Sequence, residues 1–127
     1  MKIFVVDDSR AVHAILGEML QGCNISLKHA YNGQEGLDAL NAPDFGADLV
    51  LLDWEMPILA GIDALPLLLR CRPNLPIMMM TSKNAMADIA EALSKGALDY
   101  IIKPFTKDIL ISKISQVSGL ESGGGLI

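Results

Sequence analysis

The segment LVLLD, residues 49–53, decides the fold, because four consecutive apolar residues lead directly into a carboxylate. A continuous apolar run is typical of a strand that is covered on both faces of a parallel sheet. Similar runs occur at Ile3–Val6, Ile77–Met80 and Leu98–Ile102, whereas Ile25–Ala30 is more polar and suits a sheet edge. The sequence therefore predicts five parallel strands.

Helical patterns separate these runs. Apolar residues recur at intervals of three and four after the first, fourth and fifth runs, which is typical of a helix with one apolar face. Ser9 and Thr106 are suited to cap the first and last helices, and Gly96 to end the fourth. A turn at Asn32-Gly33 leads into a short second helix. The apolar positions are Val12, Ile15, Leu16, Met19 and Leu20 in the first helix, Met86, Ile89, Ala90 and Leu93 in the fourth, and Ile109, Leu110 and Ile114 in the last.

The third helix, over Ile62–Arg72, contains Pro66, which removes a backbone donor and clashes one turn back. We therefore predict that this helix kinks or starts late, close to Pro66. Strands and helices alternate five times along the chain. With right-handed crossovers, this order predicts an α/β fold: a doubly wound, five-stranded parallel sheet with five helices on its two faces.

Composition limits the function. The 127 residues suffice for one domain with its own core, and a hydrophobic share of 51% excludes a disordered chain. The net charge of −5 argues against direct binding to nucleic acid or to an anionic membrane surface. We see no signal peptide and no apolar run near the roughly 20 residues of a spanning helix, so we expect a cytoplasmic protein with no membrane partner. Cys23 and Cys71 have no partner motif, and we expect free thiols.

Charged and hydroxylic residues follow four of the strands. Asp7-Asp8 follow the first strand, Asp53 the third, Thr81 the fourth and Lys103 the fifth. Ligands of open parallel sheets bind beyond the carboxyl ends of the strands, so we expect these side chains to converge. Packed carboxylates repel each other, and Mg²⁺, which prefers oxygen ligands, relieves that repulsion. A carboxylate at such a site can act as a nucleophile toward a phosphoryl group, with positive charge and donors around its oxygens.

Four motifs at these strand ends resemble those of the receiver domains of two-component response regulators. They are Val5–Ser9, Leu51–Pro57 with Gly61, Met80–Ser82 and Tyr100–Phe105. The Asp53-Trp54 pair is most similar to single-domain chemotaxis regulators, and the segment through Leu65 also resembles the receiver half of chemotaxis methylesterases. The resemblance implies a flavodoxin-like sheet of order 2-1-3-4-5 and a receiver domain over residues 1–118. Residues 119–127 would then be a flexible tail or the start of a linker.

The resemblance also implies the roles of the acidic residues. Asp53 would accept a phosphoryl group from a histidine kinase or a phosphotransfer protein. Asp8 and Asp53 would bind Mg²⁺ directly, with the backbone carbonyl of Glu55 as the third protein ligand. Asp7 would act through a metal-bound water.

Further implied roles concern the switch. Thr81 and Lys103 would hold the phosphoryl oxygens, and the Lys103–Pro104 peptide is expected to be cis. Movement of Thr81 toward the phosphoryl group would let Tyr100 swing inward. That movement repacks the surface formed by helix 4, strand 5 and helix 5, through which the domain would control an output protein or domain.

Two departures from the family pattern surround the site. Ala60 replaces the usual acidic residue before Gly61, and Ser82 stands where a small residue usually follows the switch hydroxyl. Glu55 and Lys83, each two residues past a site residue, suggest a further hypothesis. We predict that they form a gate over the phosphoryl group and slow attack by water. Alternatively, the Glu55 side chain itself approaches the metal.

Simpler interpretations stand beside these. Asp7-Asp8 also suit the N-terminus of a helix as plain acidic residues, and Tyr100 also suits a static core. We expect Trp54 to be partly exposed beside the site. His13 and His29 lie far apart in sequence without ligand spacing, and we expect surface or helix-face residues rather than metal ligands.

Three other functions remain open. A pseudo-receiver would only bind protein partners, and a phosphohydrolase that passes through an aspartyl phosphate would need a pocket for an organic substrate. A dinucleotide or flavin binder is disfavoured, because no Gly-x-Gly-x-x-Gly follows the first strand. We expect a regulatory domain that is not an enzyme beyond its own phosphorylation and dephosphorylation. We expect a monomer, with dimerisation on phosphorylation as the alternative.

Overall fold

Each apolar run forms a strand of one sheet in the computed structural model, which describes residues 1–118. The strands are β1 Lys2–Val6, β2 Ser26–Ala30, β3 Leu49–Leu52, β4 Ile77–Thr81 and β5 Asp99–Ile102. The helices are α1 Arg10–Met19, α2 Gly33–Asn41, α3 Gly61–Cys71, α4 Met86–Ser94 and α5 Lys107–Ser118. The strands pair in parallel in the order β2-β1-β3-β4-β5, so the predicted doubly wound fold is confirmed. The predicted tail, residues 119–127, lies outside the described residues.

The sheet has a hydrophobic core on each face. Val50 and Leu52 of β3 belong to the core that includes side chains of α2, α3 and α4, whereas Leu49 and Leu51 belong to the core that includes α1 and α5. All four are 0% exposed. Successive side chains of a strand point to opposite faces, and both faces of β3 are covered, so this run has no polar positions.

The strand register brings two acidic residues together. Val6 of β1 pairs with Leu52 of β3, so the residues that follow, Asp7 and Asp53, lie side by side at the carboxyl ends. The pairing continues one residue beyond the strands, because the Asp53 N–H donates to the Val6 carbonyl at 2.9 Å. The sheet therefore fixes the backbone on which the site is built.

Three of the helices begin with a side-chain N-cap. Ser9 accepts the Val12 N–H of α1 at 3.4 Å, and Thr106 accepts the Ile109 N–H of α5 at 3.2 Å, as predicted. Asn32 caps α2 in the same way. The helices span 9 to 12 residues, and none in the described part of the chain has the length and apolarity needed to cross a bilayer.

Helix α3 does not start late. It starts at Gly61, five residues before Pro66, and continues to Cys71, while a kink at Pro66 stays a prediction. A proline inside a helix costs about 3 kcal/mol, whereas burying one leucine side chain contributes about 1.5–3 kcal/mol. Leu65 and Leu68 are both 0% exposed. Burial of the apolar face therefore outweighs the lost hydrogen bond.

Helix α4 occurs where predicted, but of its apolar stripe only Ile89 packs against the core. Met86 is 82% exposed and Leu93 is 46% exposed, while Ala92 is fully buried. Gly96 ends the helix with a positive φ of 110°, as predicted. Periodicity therefore predicts the helix correctly but does not tell which face packs against the sheet.

Candidate functional site

Three aspartates meet at the carboxyl ends of β1 and β3. Asp7 is fully buried and Asp53 is 8% exposed, whereas Asp8 is exposed. One oxygen of each carboxylate lies within 4.8 Å of an oxygen of the other two. Carboxylate oxygens at this spacing suit a hard divalent cation. The structure thus brings together the acidic residues that the sequence analysis selected.

Lys103 reaches this cluster from the end of β5. Its Nζ lies 2.7 Å from Asp7 Oδ2 and 3.5 Å from Asp53 Oδ1. The Lys103–Pro104 peptide is cis, as predicted. Three ionised carboxylates and one ammonium leave a formal charge of −3 + 1 = −2 at the site. The site therefore carries the charge that one divalent cation neutralises.

The electrostatic environment of Asp53 reflects this excess of negative charge. Burial, and secondarily the charge of Asp7, raise the pKa of Asp53 from 3.8 to about 6. Lys103 acts in the opposite direction, as does the Trp54 N–H, which donates to Asp53 Oδ1 at 2.9 Å. The surroundings of Asp53 thus disfavour its ionised form, and the charge of Lys103 offsets this effect only in part.

Backbone hydrogen bonds hold the Asp7 carboxylate and the loop that follows Asp53. The Ser9 N–H donates to Asp7 Oδ1 at 2.8 Å. The Gly61 N–H donates to the Trp54 carbonyl at 2.7 Å and closes the loop that follows Asp53. A Cβ on residue 61 would overlap the backbone carbonyl oxygen of Asp53. Only glycine therefore fits at the start of α3.

The predicted switch residues are joined through the backbone of Lys83. Thr81, 2% exposed at the end of β4, accepts the Lys83 N–H at its Oγ1, at 3.3 Å. The Lys83 carbonyl accepts the Tyr100 hydroxyl at 2.8 Å, and Tyr100 is 7% exposed. Tyr100 thus lies inward in this conformation. The switching role of Thr81 and Tyr100 stays a prediction.

The predicted gate residues do not pair in this conformation. Glu55 is exposed, and no ion pair within residues 1–118 joins it to Lys83. The Lys83 ammonium instead lies 5.4 Å from the centroid of the Trp54 ring. The effect of Glu55 on a phosphoryl group stays a prediction.

The expectation that Trp54 is partly exposed is wrong. Its exposed fraction is 7%, and it belongs to the core that contains Val6, Leu52 and Leu65. The loop that begins at Trp54 folds back to α3 through the Gly61 hydrogen bond, so the indole packs inward instead of facing solvent. Trp54 therefore lies between the site and the core.

His29 is exposed, as expected of a surface residue, but the structure also brings the two histidines into contact, which the sequence analysis did not predict. His13 of α1 is buried, and its Nδ1 lies 2.7 Å from Nδ1 of His29 on β2. Nε2 of His13 lies 2.8 Å from the backbone carbonyl oxygen of Asp7. Burial and the neighbouring His13 lower the pKa of His29. No spacing in the sequence signals this pair, because it depends on how α1 lies against the edge strand.

Known proteins share the sequence and the fold. The chain matches the family described as "Response regulator receiver domain" over residues 3–115. It is 32% identical over 126 residues to the chemotaxis protein CheY1 of Helicobacter pylori, which covers 94% of this chain and 98% of that protein. It is 33% identical over 135 residues to the two-component response regulator-like protein PRR37 of Oryza sativa subsp. indica, which covers 97% of this chain. The chain spans nearly all of CheY1 but only 18% of PRR37.

A solved structure gives the same result. A CheY-like response regulator receiver domain protein from Methanospirillum hungatei JF-1 superimposes with a TM-score of 0.84 at 26% identity. The match covers 97% of this chain and 98% of that one. The sheet order and the relatives therefore agree on one family.

Proposed function

The chain belongs to the response regulator receiver family, and from this premise we propose that it is a phosphorylation-controlled switch whose phosphoacceptor is Asp53. The observation that carries the proposal is the meeting of three carboxylates with Lys103 at the ends of β1, β3 and β5. This arrangement offers a nucleophile, oxygen ligands for a cation and a positive charge for an anionic group. Each of these is needed for phosphoryl transfer to a carboxylate.

The transfer step forms one bond and breaks one. An oxygen of Asp53 attacks phosphorus, the P–N bond to the imidazole of a donor phosphohistidine breaks, and the imidazole leaves and takes up a proton. Asp53 is 8% exposed, which leaves access for a donor while limiting access of water. Lys103 Nζ lies 3.5 Å from Asp53 Oδ1, and its positive charge would hold a phosphoryl oxygen.

The residues of the site fit Mg²⁺. Asp8 and Asp53 would hold the ion directly, together with the backbone carbonyl of Glu55, and Asp7 through water. The net charge of −2 and the raised pKa of Asp53 are what a set of oxygen ligands lacking its cation should show. When bound, Mg²⁺ supplies charge neutralisation for the phosphoryl oxygens.

The switch connects Asp53 with Tyr100. The hydroxyl of Thr81 moves from the Lys83 N–H to a phosphoryl oxygen, and the Lys83 carbonyl carries that movement to Tyr100. The readout is a repacked surface of α4, β5 and α5, where Met86 and Ile109 are already exposed. The domain would thus act on an output protein or domain. It would be regulatory and catalyse only its own phosphorylation and dephosphorylation.

Its partners follow from the same chemistry. The donor would be a histidine kinase or a phosphotransfer protein, because a phosphohistidine is the donor that the family implies. The net charge of −5 gives no support to direct binding of nucleic acid. The domain would be monomeric before phosphorylation, with dimerisation through the repacked surface as the alternative.

Intact mass tests the phosphoacceptor. With Mg²⁺ and acetyl phosphate, the parent protein should gain the mass of one phosphoryl group, and Asp53→Asn should gain none, because an amide oxygen is a far weaker nucleophile. Asp63→Asn, an exposed residue of α3, is the matched control and should behave like the parent.

Trp54 fluorescence, followed in the same samples, reports on cation binding beside the site. A phosphoryl adduct that persists in Asp53→Asn would contradict the assignment of the phosphoacceptor. No adduct in the parent, together with no fluorescence response to Mg²⁺, would contradict the switch and favour the pseudo-receiver. A fluorescence response without an adduct would restrict the site to its protein donor.

Glu55→Ala should speed loss of the phosphoryl group, if Glu55 closes over it with Lys83. An exposed ion pair contributes only about 0–1 kcal/mol, so the rate should rise by no more than about fivefold. Dephosphorylation is measured by the decay of the adduct mass after the phosphodonor is removed. Lys83→Ala should have an effect of similar size, and Asp63→Ala none. Equal rates for Glu55→Ala and the parent would eliminate the gate.

A further inference from the structure

A second group of convergent ligand atoms lies outside the carboxylate site. The Nδ1 atoms of His13 and His29 are 2.7 Å apart, and they come from different elements, α1 and β2. His13 is 6% exposed, while His29 is exposed at the sheet edge. The ring of Tyr31 packs against His13 at a centroid distance of 4.5 Å. One ring is thus held rigidly and the other is reachable from solvent.

The hydrogen bonds fix which nitrogen carries the proton. A carbonyl oxygen only accepts, so Nε2 of His13, 2.8 Å from the Asp7 carbonyl, must be the donor. In the neutral ring, Nδ1 of His13 then holds a lone pair that points at His29. Nδ1 of His29 must therefore donate, and its proton occupies the space between the two rings.

We propose that this pair is a binding site for a divalent transition metal, and for Zn²⁺ in particular, in which the ion replaces the proton shared by the two Nδ1 atoms. His29 changes tautomer, and its proton moves from Nδ1 to Nε2 by exchange with water. Both imidazole rings stay neutral. Water molecules supply the remaining ligands from the exposed side.

Metal binding requires the exposed ring to move. Two nitrogen ligands at 2.0–2.1 Å from a tetrahedral Zn²⁺ lie about 3.3 Å apart, so the two Nδ1 atoms must separate by roughly 0.6 Å. Nδ1 of His29 must also shift sideways by about 2 Å, because the lone pair of a fixed His13 now points at it and must point at the ion instead. His29 is exposed and can make this movement, whereas the Asp7 carbonyl and Tyr31 hold His13.

His13 makes the second hydrogen bond that imidazole metal ligands usually make. A ligating histidine commonly donates its other ring N–H to a carbonyl or carboxylate, which fixes the tautomer and makes the ligating nitrogen more basic. His13 has this arrangement with Asp7. Imidazole nitrogens select Zn²⁺, Ni²⁺ and Cu²⁺ over Mg²⁺, which prefers oxygen. The pair and the carboxylate cluster should therefore bind different ions at the same time.

Calorimetric titration with Zn²⁺ tests the site in untagged protein. Saturating Mg²⁺ occupies the carboxylates, and a Cys23→Ser, Cys71→Ser background removes competing thiols. This background should bind one Zn²⁺, and adding His29→Gln should weaken binding at least about tenfold. Lys95→Gln, at the exposed residue that follows α4, is the control that should leave the affinity unchanged.

Cu²⁺ provides a second readout that requires no histidine variant. The chain contains two histidines, so within one molecule a paramagnetic resonance spectrum with hyperfine structure from two imidazole nitrogens can only come from this pair, and dilution to a monomer rules out a shared ion between molecules. Equal Zn²⁺ affinity with and without His29→Gln, or a Cu²⁺ spectrum that lacks two imidazole nitrogens, would overturn the proposal. Neither readout depends on phosphorylation of Asp53, so the two proposals can fail separately.

Discussion

Gly61→Ala should lower the free energy of unfolding by more than about 3 kcal/mol, or prevent folding altogether. The added Cβ would overlap the carbonyl oxygen of Asp53 and would lie 2.7 Å from its carbonyl carbon. These are backbone atoms, and the adjoining Asp53 N–H is hydrogen-bonded to Val6, so no flexible side chain can move aside. Urea denaturation followed by circular dichroism measures the loss.

Gly17→Ala is the matched control. Gly17 lies within α1, is exposed, and has no atom within 4 Å of the position of a new Cβ. Alanine is more favourable than glycine in a helix by about 1 kcal/mol, so this variant should be slightly more stable than the parent. A loss below about 1 kcal/mol for Gly61→Ala would show that the loop after Asp53 can shift, contrary to our interpretation.

The strands and the acidic site could be predicted because each depends on a local pattern. The run LVLL is apolar throughout because both of its faces are buried, and the carboxyl ends of parallel strands meet by necessity. The position of Asp53 beside Asp7 follows from those two facts and the sheet order. The convergence of these side chains could thus be predicted without knowledge of side-chain packing.

The errors in the helices have a different cause. Pro66 disfavours a helix locally, but the burial of Leu65 and Leu68 decides the outcome. The stripe that contains Met86 predicts α4, yet Ala92 faces the sheet, because a short helix is placed by its connections as well as by its apolar residues. Local sequence patterns indicate which conformation a segment prefers, and tertiary packing determines whether the segment adopts it.

The histidine pair was beyond sequence reasoning for a third reason. His13 and His29 are sixteen residues apart and belong to different elements. Their contact depends on the angle and depth at which α1 packs beside the edge strand. The spacing of residues in the sequence contains no information about that angle. A metal motif within one loop or helix can be recognised, because its spacing alone brings the ligands together.

Asp53→Asn should stabilise the protein in the absence of Mg²⁺ by about 1–3 kcal/mol at pH 7–8. The folded-state pKa of Asp53 is about 6, above the value of 3.8 for the unfolded chain. Below pH 3.8 the carboxyl is neutral in both states, and ionisation costs the folded protein nothing. Stability falls as the pH rises from 3.8 to about 6, because the unfolded chain ionises there while the folded protein resists ionisation, and above pH 6 the loss stays constant. An asparagine avoids this cost.

The gain from Asp53→Asn should therefore vanish below about pH 4 and shrink when Mg²⁺ is added, because a cation that binds the folded parent stabilises it more than the variant. Urea denaturation at several pH values, with and without Mg²⁺, measures both effects. Asp44→Asn, an exposed loop residue, should show neither dependence. A gain of equal size at pH 4 and pH 8 would mean that packing, not charge, distinguishes the two side chains. A gain that Mg²⁺ leaves unchanged would mean that Asp53 does not take part in holding the cation. If the gain depends on both pH and Mg²⁺, the raised pKa of Asp53, the excess negative charge beside Lys103 and the binding of the cation have the same electrostatic cause.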